Sequence, residues 1–149
     1  LRVTAARPGV VNFELPIEKH HTNRLNILHG GTIASMVDLG GSLAVASRGL
    51  FATGVSTDLN GMYSYQWGVM GYADQGGVVT YLNSGGKIGD LIRAEVTCDK
   101  FGKTLAYTSI NFHNEKQELV ARGSHTKYVS FAWKDPNNIV EEMSPKSEK

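Results

Sequence analysis

The sequence predicts an α+β domain of two layers, with one long helix packed on an antiparallel β-sheet of five to six strands. Three observations predict it. Apolar residues recur at helical spacing over one long segment only, residues 32–47. The segments on either side alternate in polarity or are rich in β-branched and aromatic residues, as strands are. The turn signals Ser84-Gly85-Gly86, Gly102-Lys103 and Asn114-Glu115-Lys116 leave links too short for crossover helices, so the later strands pair antiparallel.

In chain order, residues 10–18 alternate around Val11, Phe13, Leu15 and Ile17, the period of a half-buried strand, with Pro16 suited to an edge or a bulge. A polar stretch from His20 to Arg24 leads to Leu28-His29-Gly30-Gly31 and the helix. There Ile33, Met36, Val37, Gly40, Leu43 and Ala44 lie along one line. Thr32 is expected as N-cap, and Arg48-Gly49 as a cationic, left-handed stop. Residues 54–60, 78–82, 91–101, 105–112 and 119–130 supply the remaining strands. The domain is thus read as residues 10–130. Residues 1–9 are read as an N-terminal extension, incomplete because the chain opens on Leu1. Residues 131–149 are read as a mostly disordered or loosely docked tail, because Pro136, Asn137, Asn138 and Pro145 stand among mixed charges.

A chain of 149 residues with 41% hydrophobic content is long and apolar enough for one domain with a real core. Its 15 Lys plus Arg against 14 Asp plus Glu give a net charge of +1, which supplies no global field for nucleic acid or an anionic membrane. No apolar run approaches the roughly 18 residues of a membrane span. The single cysteine, Cys98, excludes an intramolecular disulfide and favours a reducing, intracellular compartment, cytoplasmic or mitochondrial. His20, His21 and His29 do not make a metal site, since adjacent side chains diverge and no acidic partner follows at ligand spacing.

The constellation that carries chemistry is His29-Gly30-Gly31 at the helix start with Asp38 inside the helix. A glycine pair there lets a ligand approach backbone N–H groups at the positive end of the helix dipole, a place to stabilise an oxyanion. The helical neighbours of Asp38 are Ala34, Ser35, Gly41 and Ser42, all small. Mid-helix Gly40 and Gly41 each cost about 1 kcal/mol relative to Ala, so close approach of another helix or chain is expected to compensate. Eight residues at 1.5 Å rise put Gly30 and Asp38 about 12 Å apart, too far to act on one carbonyl. Two such helices, antiparallel about a two-fold axis, would bring Asp38 of one subunit near Gly30 of the other, so a homodimer with composite sites is expected.

The strings His21-Thr22-Asn23, Leu28-His29-Gly30-Gly31, Met36-Val37-Asp38, residues 54–60 (GVSTDLN), residues 85–90, residues 102–108 (GKTLAYT) and His125-Thr126-Lys127 together resemble the hotdog-fold acyl-CoA thioesterases of the thioesterase superfamily member 2 and PaaI-like group. The resemblance spans residues 10–130 apart from one internal stretch. It implies a hotdog fold, a homodimer that can pair again into a homotetramer, and hydrolysis of acyl-CoA to free acid and coenzyme A without metal or redox cofactor. It further implies that Gly30 N–H and the Asn23 side chain polarise the thioester carbonyl, that Asp38 is general base on water, and that Ser56 orients that water. His29 would support the loop or contact substrate, with Gly31 beside it at the substrate. Arg122 and Lys127 would face the phosphates of coenzyme A.

Residues 61–77 depart from that pattern. The segment holds four aromatics and two methionines but one charged residue, Asp74, an abnormal composition for an exposed loop. It reads either as a lid or acyl-tunnel wall, or as a translated intron whose excision would restore the spacing. A hotdog hydratase or dehydratase, and a non-catalytic acyl-CoA binder, are the alternative functions, because one fold hosts many activities.

Overall fold

The structure, a computed structural model, describes residues 1–64, 80–81 and 85–143. Most of the segment of abnormal composition, from residue 65 onward, therefore lies outside the described residues. Seven strands and two α-helices are present among them, besides two short 3-10 turns at Lys19–His21 and Ala132–Lys134: β1 (Arg2–Arg7), β2 (Val10–Pro16), α1 (Gly30–Ala46), β3 (Val55–Ser64), β4 (Thr80–Tyr81), β5 (Leu91–Phe101), β6 (Leu105–His113), β7 (Leu119–Tyr128) and α2 (Val140–Met143). They form one sheet in the order β1-β2-β5-β6-β7-β3-β4, antiparallel throughout except where two-residue β4 runs parallel to β3. The expected two-layer architecture is what forms.

Alternation explains the layers. Val11, Phe13 and Leu15 of β2, Ile92, Ala94, Val96 and Cys98 of β5, and Ala106, Thr108, Ile110 and Phe112 of β6 are all buried. They present one face to α1, which answers with Ile33, Met36, Val37, Gly40, Gly41, Ala44 and Val45. Each large apolar side chain so buried contributes about 1.5–3 kcal/mol. On β7 the same inward parity falls on Ala121, His125 and Lys127, so the core turns polar at the end of the sheet where β7 meets β3.

The structure bears on four local readings. The N-cap of α1 is His29 rather than Thr32, because His29 Nδ1 accepts the Gly31 N–H at 2.8 Å while the Thr32 hydroxyl donates away to His21 O. The glycine pair is therefore the first turn of the helix itself. Residues 2–7 form a strand despite exposure at every position, held by its ladder to β2 and by the Arg2–Glu14 ion pair. The tail is docked over residues 134–143: Ile139 N–H reaches Gly49 O at 2.8 Å, and Asn138 bridges Phe51 N–H and Ala132 O. Gly40 and Gly41 meet this chain's own sheet rather than another chain. A Cβ on Gly40 would stand 3.0 Å from Ile110 and Val96, and one on Gly41 would stand 2.5 Å from His125 Nδ1. Gly49 does take the expected left-handed conformation, at φ +95°.

Candidate active site

Two groups of candidate site residues lie along α1, one at its start and one midway along it. At the start, Asn23 closes a tight loop. Its Oδ1 accepts from Leu25 N–H at 2.8 Å and Ile27 N–H at 3.3 Å, and its own N–H donates to Ile27 O at 2.9 Å. With the carbonyl end of the amide so engaged, Nδ2 is the end that can donate to a ligand. His29 N–H donates to His21 O at 2.8 Å, tying this loop to the helix start. His29 thus supports the loop, and the Gly31 N–H is taken up in capping by His29 Nδ1. Gly30 opens the helix at the positive end of its dipole.

Midway along α1, three side chains from three elements converge. Ser56 of β3 donates to Asp38 Oδ1 at 3.1 Å, His125 Nε2 of β7 lies 2.8 Å from Ser56 Oγ, and His125 Nε2 is 3.4 Å from Asp38 Oδ1. The composition is that of a serine hydrolase triad, yet the order is different. A triad needs His to accept the Ser proton while its other nitrogen donates to the acid. Here the serine proton goes to Asp38, so its oxygen accepts from His125 Nε2–H. His125 Nδ1 is buried without a hydrogen-bond partner among the described residues. The arrangement therefore fixes Ser56 rather than activating it as a nucleophile, and it leaves Asp38, half-exposed at 55%, as the group able to take a proton from water.

Electrostatics hold this state. His125 is 1% exposed, and burial pushes its pKa below the ordinary value, helped by the Lys127 ammonium and opposed by Asp38 and Asp58. Lys127 is itself lowered by burial and raised by Asp38. Its Nζ donates to Ser42 Oγ at 2.9 Å, and Ser42 stands one helical turn beyond Asp38. Lys127 is 3% exposed, with its ammonium held against α1 by Ser42 rather than extended toward solvent. Arg122 is exposed, but β7 alternation turns it to the face opposite His125, away from this cluster. Ile33 and Met36 on α1 are core, whereas Phe51, beyond its end, is 69% exposed.

His125 was matched within the string His125-Thr126-Lys127 but given no role. Its signal was present: two polar residues, His125 and Lys127, share the inward parity of Ala121 in an otherwise regular strand. A buried polar pair opposite a helix carboxylate marks a site more specifically than the glycine motif does.

Comparison with known proteins fits this arrangement. No family model matches the chain. A Schizosaccharomyces pombe protein named as an esterase is 42% identical over 141 residues, 95% of this chain and 76% of that protein. Human acyl-coenzyme A thioesterase 13 is 34% identical over 130 residues, 87% of this chain and 79% of its own length. The chain belongs to the hotdog-fold thioesterases. The zebra fish thioesterase superfamily member 2 structure superposes with a TM-score of 0.69 at 35% identity, covering 85% of this chain and 78% of that one. In this thioesterase the family fold accounts for the long central helix, and the chain's own hydrogen bonds account for the carboxylate, hydroxyl and imidazole gathered above it.

Proposed function

We propose that the chain hydrolyses the thioester of acyl-coenzyme A to a free acid and coenzyme A, with Asp38 as general base. The observation that carries this reading is the ordered contact of His125, Ser56 and Asp38, which leaves a half-exposed carboxylate beside a fixed hydroxyl. Ser56 and Asp38 would together orient water for attack on the carbonyl carbon. Asn23 Nδ2 and the Gly30 N–H would receive the negative charge that develops on the carbonyl oxygen. Water attack would give a tetrahedral intermediate that expels the thiolate, and the proton taken by Asp38 would return to the leaving sulfur. The relatives named as thioesterases support the reaction class. No metal or redox group enters this scheme.

The same reading calls for two copies, since Gly30 and Asp38 of one helix are about 12 Å apart by helical rise. The exposed edge of β3 supports a homodimer. Val55, Ser56 and residues 58–63 pair with β7, and among the described residues Tyr63 and Ser64 are the β3 positions paired to β4. The edge of a sheet is a template for a second strand. A dimer of dimers, an intracellular location and a role in fatty acid metabolism complete the proposal.

The test is free-thiol release from short, long and aryl acyl-CoAs by the native chain and by Asp38→Asn. Turnover should fall at least about 100-fold in the variant, or about 2.7 kcal/mol of transition-state stabilisation. Unchanged turnover would remove Asp38 from the mechanism. Formation of enoyl-CoA without thiol would indicate a hydratase instead, and saturable binding without turnover a binder.

A further inference from the structure

Ser56 and Leu59 of β3 both face α1, although they stand three positions apart. Ser56 meets Asp38 and His125, and Leu59 packs against the core. Regular alternation sends residues three apart to opposite faces of a sheet, so one residue in this stretch is surplus. The register shows which. Ser56 pairs with Lys127 and Asp58 with Thr126, so Thr57 stands between two successive rungs without one of its own. From Val55 to Leu59 the strand takes four steps, while its partners run from Tyr128 to His125 in three. Thr57 is thus the extra residue of a β-bulge, a device that bends a strand and re-aims a side chain.

Both ends of the stretch are anchored. Upstream, Gly54 takes φ +75° and lies so close to Tyr128 that an added Cβ would collide with the Tyr128 carbonyl oxygen. Downstream, Leu59 is fixed against the core, opposite buried His125. The surplus residue has to be absorbed between them, and where it is absorbed decides the chemistry. With the bulge at Thr57, Ser56 takes the rung of Lys127 and shares its inward parity. With the bulge one residue earlier, Thr57 would take that rung, and Ser56 would be the residue left without one. Thr57 Oγ1 donates to Thr126 O at 3.2 Å, tying the bulged residue to the opposite strand.

We propose that Thr57 is a positioning residue of the candidate site, its hydroxyl holding the bulge where it turns Ser56, and not Thr57 itself, toward Asp38 and His125. The proposal rests on the hydrolysis described above, in which Ser56 orients the attacking water. Thr57 touches neither water nor substrate in that scheme and acts through Ser56. Without its tie to Thr126 the bulge is free to shift, and Ser56 then meets Asp38 and His125 in only part of the population.

The experiment compares Thr57→Val, which keeps the size and branching of the side chain but removes the hydroxyl, with Thr57→Ser, which keeps the hydroxyl. The first readout is solvent exchange of the His125 Nε2 proton, followed by NMR on the histidine-labelled chain and assigned with His125→Gln. Exchange should be at least about threefold faster in Thr57→Val, in the direction of Ser56→Ala, and near the parent rate in Thr57→Ser. The second is steady-state thiol release from acyl-CoA. Here kcat should fall at least about threefold in Thr57→Val with KM within about twofold of the parent, and Thr57→Ser should restore kcat. Both variants should melt within about 3 °C of the parent, so that a loss of turnover is not a loss of fold. Parent exchange in Thr57→Val would overturn the inference, and so would equal effects of Thr57→Val and Thr57→Ser, because the hydroxyl would then not be what holds Ser56. If the parent chain releases no thiol, the exchange readout alone decides the role of Thr57, so failure of the proposed hydrolysis and failure of this inference are told apart.

Discussion

His125 shows how much one buried side chain decides. Its imidazole has a donor role toward Ser56 and an Nδ1 with no partner among the described residues, so a second proton would be buried without an acceptor. Burial and then Lys127 lower its pKa. The unfolded histidine takes up its proton near the ordinary value of about 6.5, while the folded one does so only at lower pH. Between those two points the unfolded chain holds more protons, so stability falls as pH falls through that window. Thermal unfolding between about pH 7 and pH 5 should show this loss, and His125→Gln should make the pH dependence shallower. Lys127→Met removes a cation that disfavours the imidazolium, and it too should flatten the slope. A slope unchanged in both variants would mean that His125 is not the group responsible.

At the scale of the element, α1 is shaped by what its glycines touch. Gly41 lies against the site: a Cβ there would stand 2.5 Å from His125 Nδ1 and 2.7 Å from Thr108 Oγ1. Gly40 lies against the ends of apolar side chains, Ile110 and Val96 at 3.0 Å and Phe13 at 3.1 Å, which can shift by a few tenths of an ångström. Alanine gains about 1 kcal/mol of helix propensity at either position. Overpacking costs about 1–3 kcal/mol, and at Gly41 the atoms that must move belong to Thr108 and to His125, whose Nε2 holds Ser56. Gly41→Ala should therefore lower both melting temperature and turnover, with turnover the more affected. Gly40→Ala should cost less stability and leave turnover near the parent value. Thermal scans and thiol release on the two variants check this; equal losses of turnover would contradict it.

For the whole molecule, the proposed dimer has a distinctive consequence. If Asp38 of one subunit works with Asn23 and Gly30 of its partner, the Asp38→Asn and Asn23→Ala chains are each inactive alone. After unfolding together and refolding, mixed dimers hold one site with both lesions and one site with none. Turnover should recover to about a quarter of the native value, because half of the dimers are mixed and half of their sites are intact. No recovery, in a sample shown to be dimeric by sedimentation, would place both residues of a site in one chain.

Much of this was legible without coordinates. Period-two runs bounded by glycine turns marked β5, β6 and β7 within a residue or two, and helical spacing marked α1. Gly30 and Asp38 were singled out by the glycine pair and helix periodicity, which are local properties of the chain, and Ser56 by the family resemblance alone. Strand β1 did not, because an exposed edge strand has no buried face to impose alternation, and its pairing partner defines it. Nor did the inward turn of His125 and Lys127 or the reach of Asn138 to Phe51. Each is a contact between residues distant along the chain. The sequence by itself determined which segments are helix and strand and which residue types can do acid–base work, because periodicity and propensity act over a few residues. Only the tertiary structure decided which side chains meet and at what distance, because register and layer packing are set by the sheet as a whole.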